Sequence, residues 1–401
     1  MKILFLLTQD LESPSALGRI FPLARELVIL GHQVNMLALH SNYQDLVSNL
    51  EHKDGVNIRY AGQMHVMKKG DQKTYFPAIN LIYLSTITTF SLIYWTLRTK
   101  ADIVHICKPH PMNSIAGIVG KIINRKVIFL DYDDHEAESM FFTKGWQKKI
   151  IEIFENNTPK FVDHITTHNT YLENRLVDSG INPKKITYIP TCVDSVRFSD
   201  IDQEKLDVLK KKLNITDQKI ISYIGTLSLV NHPIDLLIEA YASVLEEFPN
   251  SILMLVGGGQ DYQILVEKVR QINLNKNVIF TGRVSPSQVP YYYKISDVVI
   301  DPVYDNPACR GRIPLKMFES WISGVPFVTG DVGDRRFLLG DPPAGYLAAA
   351  GNAISLAEGI NKILYDNKYT KELILRGYHQ GKFYIWSKQI LRLESVYNLY
   401  F

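Results

Sequence analysis

The stretch "RGRIPLKMFESWISGVP", residues 310–326, sets Arg310, Arg312 and Lys316 close together and places Glu319 one turn after the last of them. Pro314 suits the first position of a helix, Gly324 suits its end and Pro326 prevents continuation, so the spacing predicts a helix over 314–323. Leu315, Phe318 and Ile322 then share a face expected to pack inward, and Lys316 and Glu319 stand beside it as (i, i+3) neighbours. Two kinds of chemistry fit this pattern. One is a solvated ion pair worth at most a few tenths of a kcal/mol. The other is an anion site for a diphosphate. Three cations gather where the helix dipole is also positive, and Glu319 can accept hydrogen bonds from ligand hydroxyls.

Such a site needs strands to position it, and the chain supplies an α/β alternation twice. In the first half the apolar run Ile3 to Leu7 and a polar loop precede "GRIFPLARELVILGHQVNMLAL", a helix closed by Gly31 and then a second strand. "DIVHIC" and "KVIFLD" flank "NSIAGIVGKIIN", continuing parallel strands joined by helices. The second half restarts with "KIISYIG", "SILMLVGGG", "NVIFTG", "DVVIDP" and "PFVTGD", near-continuous apolar runs of the kind that buried parallel strands show. Between the halves "TYIPTCVDSVRFSDIDQEK" turns polar and loses periodicity. The expected organisation is residues 1–193 as one Rossmann-like domain, 194–384 as a second, and 385–401 as a helix returning to the first, where Trp386, Ile390, Leu393 and Val396 or Tyr397 would bury.

The 401 residues exceed what one core usually serves, and 46% hydrophobic with 21% charged content is globular. A formal net charge of +3 on so long a chain points away from nucleic acid. Cys107, Cys192 and Cys309 have no metal-ligand spacing and an odd count, which fits a reducing compartment. The five residues between Lys2 and Thr8 are short for a signal-peptide core, and a first strand is expected there. The loop "SPSALGR" lacks a Gly-x-Gly-x-x-Gly fingerprint, so a nicotinamide enzyme loses support. "VGGGQD" lacks the Lys-Ser or Lys-Thr of a phosphate-binding P-loop.

In their order along the chain, "YIGTLSLVNHPIDLLIEAYASV", "SILMLVGGG", "VIFTGRVSPSQVPYYYKISDVVIDP" and "RIPLKMFESWISGVPFVTGDVGD" resemble the donor-binding domain of the retaining glycosyltransferases of family 4, also called group 1. "GRIFPLARELVILGHQVNML" and "LVDSGINPKKITYIPTCVDSVRF" resemble that family's acceptor domain and linker. The resemblance implies the GT-B fold: two Rossmann-like, doubly wound parallel-sheet α/β domains facing across a cleft. It implies a nucleotide-sugar donor and a glycan or lipid-linked acceptor in polysaccharide, glycolipid or glycan synthesis. No cofactor beyond the co-substrate, no metal and no nucleic acid partner are expected.

Glu319 matches the second Glu of the family's Glu, seven residues, Glu motif, which implies contact with the nucleotide ribose. Lys316, Arg312, Arg310 and the backbone at Pro314 and Leu315 would lie near the diphosphate. Gly282, Arg283 and Val284 would frame the base, and Gly18 would lie against donor phosphate or acceptor. His135 in "LDYDDHEAES" matches a His directed at the donor sugar. From the residues alone it could equally be a partner of Asp133, Asp134 and Glu136. Three positions depart from the pattern. The motif's first Glu is Gly311, an expected Arg is Thr226, and an expected Lys is His232 or Asn231. The basic trio is a substitute of suitable chemistry. A catalytically silent GT-B binding or scaffold protein is the alternative, and a sugar-nucleotide epimerase, which shares the architecture, is another.

No charged residue occurs from Thr74 to Leu97. The run is long enough for a membrane span, but Pro77, Asn80 and its Ser and Thr residues favour a helix within the alternation. Lys68, Lys69 and Lys73 precede it, and "KGWQKKIIEIFENN" adds a second basic, amphipathic stretch. Together they fit a cytoplasmic protein in peripheral contact with an anionic membrane, at the inner face of the cell membrane.

Overall fold

A computed structural model of the protein describes residues 1–69, 72–140, 142 and 144–401. The side chains of Lys69, Gln72 and Lys73 lie outside the described residues, and with them two members of the basic group ahead of the uncharged run. The chain divides into two compact units, Met1–Thr191 with Trp386–Phe401, and Cys192–Ile385.

The first unit carries strands β1 (Lys2–Leu7), β2 (Gln33–His40), β3 (Leu50–Lys53), β4 (Val56–Gln63), β5 (Val66–Lys69), β6 (Gln72–Tyr75), β7 (Ile103–Cys107), β8 (Val127–Tyr132), β9 (His164–Thr167) and β10 (Ile186–Tyr188). Its helices are α1 (Phe21–Ile29), α2 (Ala78–Arg98), α3 (Pro111–Asn124), α4 (Glu136–Ser139), α5 (Gly145–Phe161) and α6 (Thr170–Asp178). The sheet runs β10-β9-β8-β7-β1-β2-β4-β3, with β1 between β2 and β7, so the strand order reverses beside β1. Its centre is dry, Ile3 to Leu7 being wholly buried, as expected of a strand covered on both faces. Two elements depart from an all-parallel expectation. Strand β3 pairs antiparallel with β4 at the edge, and β5 and β6 form a separate antiparallel hairpin.

The second unit carries α7 (Gln203–Lys212), β11 (Lys219–Ile224), α8 (Ile234–Glu247), β12 (Ser251–Val256), α9 (Tyr262–Gln271), β13 (Val278–Gly282), α10 (Val289–Lys294) and β14 (Val298–Asp301). It continues with α11 (Pro307–Arg310), α12 (Leu315–Ser323), β15 (Phe327–Gly330), α13 (Arg335–Leu339), β16 (Tyr346–Ala348), α14 (Ala353–Tyr365) and α15 (Asn367–Gly381). All six strands are parallel, in the order β13-β12-β11-β14-β15-β16. This is the doubly wound order, and its switch point, where ligands usually bind, falls at the carboxyl ends of β11 and β14. The glycines of "VGGGQD" serve the loops there. A Cβ at Gly257 would come 2.0 Å from the Gly225 carbonyl oxygen, and one at Gly259 the same distance from that of Leu227, so the loop after β12 lies directly on the loop after β11.

The last helix, α16 (Trp386–Tyr397), belongs to the first unit, and Trp386, Ile390, Leu393, Val396 and Tyr397 are buried in it. The Trp386 indole N–H donates to the Gly18 carbonyl over 3.0 Å, and the Arg19 guanidinium lies 5.7 Å from its ring centroid. Arg19 in turn donates twice to the buried Asp131 of β8, at 2.6 and 2.7 Å, and to the Ile189 carbonyl at 3.1 Å. One guanidinium thus joins the turn before α1, the sheet and the chain's exit from β10. Trp386→Ala removes the ring that covers it and is expected to destabilise by about 3–5 kcal/mol, read as a lower urea midpoint, with Trp386→Phe losing clearly less.

Candidate functional site

Strand β14 ends on Asp301, whose side chain is wholly inaccessible to solvent. Lys316 Nζ approaches its Oδ1 to 3.0 Å and Arg312 Nη2 to 3.2 Å, while Arg335 Nη2 reaches Oδ2 at 3.0 Å. Burial alone would raise the Asp301 pKa, but the three cations hold it well below the usual carboxylate range. Three cations thus converge on one buried carboxylate. It lies at the switch point and beside the N-terminus of α12, whose dipole adds to the field. Lys316 also stands 4.7 Å from the centroid of the buried Tyr223 ring, and burial lowers its pKa to about 8.

His232 occupies one of the positions where the resemblance leads one to expect a Lys. Burial, followed by the charges of Arg312 and Lys316, drives its pKa well below the ordinary value. The neutral ring can accept from Arg312 Nη1, which lies against Nδ1. A cation therefore stands beside that position, although it comes from a different loop. Thr226, at the position of the expected Arg, offers its carbonyl to the Tyr223 hydroxyl at 2.9 Å.

Helix α12 begins at Leu315 with Pro314 as its N-cap residue, and it ends in a left-handed Gly324 with φ of 71°. Its buried apolar residues are Met317, Phe318 and Trp321, whereas Leu315 and Ile322 are half-buried, so the inward face is rotated from the expected one. Lys316 and Glu319 are both buried, which sets aside the solvated-pair reading. They also have separate partners: Glu319 accepts from the Tyr293 hydroxyl at 2.8 Å and from Arg197 at 3.4 Å. Arg310 departs from the three-cation expectation. It is half-exposed and holds Asp305 in a bidentate pair of 2.6 and 2.9 Å, because its place in the short α11 turns it outward. Gly282 ends β13 at a φ of 69°, and its carbonyl accepts from the Gly257 N–H; Arg283 and Val284 follow, half-buried.

In the first unit, Gly18 lies inside a π-helical turn, Ala16–Ile20, rather than in an open loop, and its carbonyl is taken by Trp386. His135 is buried after β8, 3.2 Å from the Tyr171 hydroxyl and 4.0 Å from Glu155. Burial, helped by Arg175, lowers its pKa to about 4, leaving a neutral hydrogen-bonding ring at neutral pH. The neighbouring acids gather on a lysine. Lys108, at the carboxyl end of β7 and with a φ of 76°, lies 3.0 Å from Asp133, 2.6 Å from Asp134 and 2.5 Å from Glu136. The carboxylate oxygens of these acids fall within 4.8 Å of one another, a spacing compatible with a metal ion, and an ammonium stands among them. His110 adds contacts with Glu136 at 3.0 Å and with Thr8, at the end of β1, at 2.6 Å. Asp301, Arg335, Lys108 and His110 were not singled out from sequence. The available signal was a polar residue closing or following a buried strand, as in "VVID" and "IVHICKPH".

The description "Glycosyl transferases group 1" matches residues 206–380, and "Glycosyltransferase Family 4" matches residues 19–197. Over 201 residues the chain is 28% identical to the alpha-monoglucosyldiacylglycerol synthase of Streptococcus pneumoniae, covering 49% of this chain and 43% of that protein. It is 25% identical over 254 residues to the alpha-galactosylglucosyldiacylglycerol synthase of the same species, covering 60% and 62%. These matches span less than two thirds of either relative. Among solved structures, sucrose-phosphate synthase from Thermosynechococcus elongatus aligns over 100% of this chain and 99% of its own, with a TM-score of 0.77 at 18% identity. Anabaena HepE in complex with UDP and glucose aligns over 99% of each chain, with a TM-score of 0.73 at 15% identity. These likenesses establish a common fold.

The buried charge set can be tested without any ligand. Asp301→Asn strands three cations, two of them buried, and is expected to cost about 3–5 kcal/mol in denaturant unfolding, while adding Lys316→Met should recover part of that loss by removing one of them.

Proposed function

The chain belongs to the group 1 glycosyl transferases, with the GT-B fold, and from that membership we propose that it transfers a sugar from a nucleotide-sugar donor to an acceptor hydroxyl with retention of anomeric configuration. The observation that carries the proposal is the gathering of three cations around Asp301 at the switch point of the second unit. A nucleoside diphosphate brings the opposite charge, and Glu319 lies on the same helix, α12, with a carboxylate suited to ribose hydroxyls. The UDP and glucose bound by HepE are consistent with such a donor.

In this proposal, cleavage of the sugar–phosphate bond builds positive charge at the anomeric carbon and negative charge on the departing diphosphate. Lys316 and Arg312, already held in place by Asp301, stabilise that anion with little reorganisation. The acceptor hydroxyl attacks from the face the diphosphate leaves, and its proton passes to the departing phosphate oxygen. Arg312 beside neutral His232 supplies charge that Thr226 and His232 lack. His135, kept neutral, serves as a hydrogen-bonding group toward the sugar. The acceptor is a glycan or a lipid-linked hydroxyl, and the enzyme works in the cytoplasm at the inner face of the membrane. The names of the diacylglycerol glycosyltransferase relatives support a lipid in that role. Gly311 favours a second reading, a silent nucleotide-sugar binder, because it leaves the motif without its first carboxylate.

Calorimetric titration with UDP-, GDP- and ADP-sugars should find one donor class that binds, with Glu319→Ala weakening it about tenfold. Release of free nucleotide on adding an acceptor separates transfer from silent binding. The affinity should also depend on pH. The Lys316 ammonium loses its proton as pH rises through about 8, and an anion favours the charged form, so binding weakens above that pH. Lys316→Arg, charged throughout, should show no such fall.

A further inference from the structure

Helix α2 is built inside out. The residues it buries are Thr88, Leu92 and Thr96, one every turn, and two of these three carry hydroxyls. The side turned to solvent bears Ile79, Ile82, Tyr83, Ile87, Phe90 and Tyr94, with Ile79 75% and Phe90 68% exposed. An amphipathic helix in water presents the reverse pattern. The anchorage of α2 is nonetheless tight. The Ser91 hydroxyl donates to the Ala61 carbonyl of β4 at 2.6 Å, and Thr88 packs so close over Gly62 that a Cβ there would meet its hydroxyl at 2.9 Å. By length and composition α2 could cross a membrane, but its line of contacts with β4 and α3 binds it along the first unit.

The exposed apolar surface continues past α2. Asn124 donates to the Leu97 carbonyl at 2.8 Å, which brings the C-terminal end of α3, with the exposed Ile122 and Ile123, beside the end of α2. The charges at this place are one-sided. Arg98, Lys100 and Arg125 are exposed there, and neither α2 nor α3 contains an Asp or Glu. The nearby Asp102 accepts from the Lys2 N–H, and Asp163 is paired with Lys121. A second copy of this chain would bring no acid from these helices to meet the cations.

We infer that the exposed face of α2, extended by Ile122 and Ile123, docks along an anionic lipid bilayer. Ile79, Ile82, Ile87 and Phe90 enter the acyl boundary, Tyr83 and Tyr94 sit at headgroup level, and Arg98, Lys100 and Arg125 meet the lipid phosphates. The inference deepens the membrane part of the proposed function and makes no use of the donor site.

Sedimentation with vesicles of phosphatidylcholine, with and without phosphatidylglycerol, tests it on the full chain at low and high salt. The wild type should partition onto the anionic vesicles, less so in high salt and weakly onto pure phosphatidylcholine. Tyr83→Glu with Phe90→Glu should abolish partition, and Arg98→Glu with Lys100→Glu should weaken it about tenfold or more. An unchanged melting temperature establishes that each variant is folded. Should the acidic pair unfold the chain, Ile79→Ser with Phe90→Ser is measured in its place. The inference is overturned if the wild type stays off anionic vesicles, if the apolar-face variants bind as well as it does, or if that face instead mediates a lipid-independent dimer. Nucleotide-sugar titration of the same preparations reports on the donor site separately, so each proposal can fail alone.

Discussion

The second unit depends on a carboxylate placed where a carboxylate is expensive. Asp301 is wholly buried at the end of a central strand, and its ionised form persists because Arg312, Lys316 and Arg335 surround it. The set ties together the loop after α11, the first turn of α12, the start of α13 and, through Thr329, strand β15. Removing the carboxylate would leave the three cations to repel one another in a low-dielectric place. The outcome is a preorganised positive site: the cations are positioned before any anion arrives, and the entropy of ordering them is spent in folding.

Much of this was legible in the sequence. The helix around Lys316 and Glu319 was legible because Pro314, Gly324 and Pro326 act locally, through backbone geometry. The doubly wound strands were legible because burial on both faces writes itself as a continuous apolar run. Which residues the cations would face was not legible. The Asp301 carboxylate closes an apolar run and looks like the start of a turn, and Arg335 lies well along the chain from the residues it completes. Arg310 misled for the same reason, since its distance from Lys316 in sequence says nothing about the outward turn that gives it to Asp305. The "VGGGQD" stretch, read from sequence only for the P-loop residues it lacks, owes Gly257 and Gly259 to a close backbone-to-backbone contact.

The first unit repeats the physics with the charges reversed. Lys108 stands at a strand end among three acids, much as Asp301 stands among three cations. His135, placed among acids in sequence, faces Tyr171 and Glu155 in space and is neutral through burial. Helix α2 shows why an uncharged run is ambiguous. Its hydroxyl-bearing line packs inward and its large apolar side chains face outward, a distinction that composition alone does not carry.

The central claim is that Lys316 and Arg312 hold the diphosphate of a nucleotide-sugar donor at the N-terminus of α12. A crystal structure of the protein with a bound nucleoside diphosphate tests this most directly. The account predicts phosphate oxygens within hydrogen-bond distance of Lys316 Nζ and the Arg312 guanidinium, with the ribose hydroxyls on Glu319. A nucleotide bound elsewhere in the second unit, with no phosphate oxygen near either cation, would contradict it.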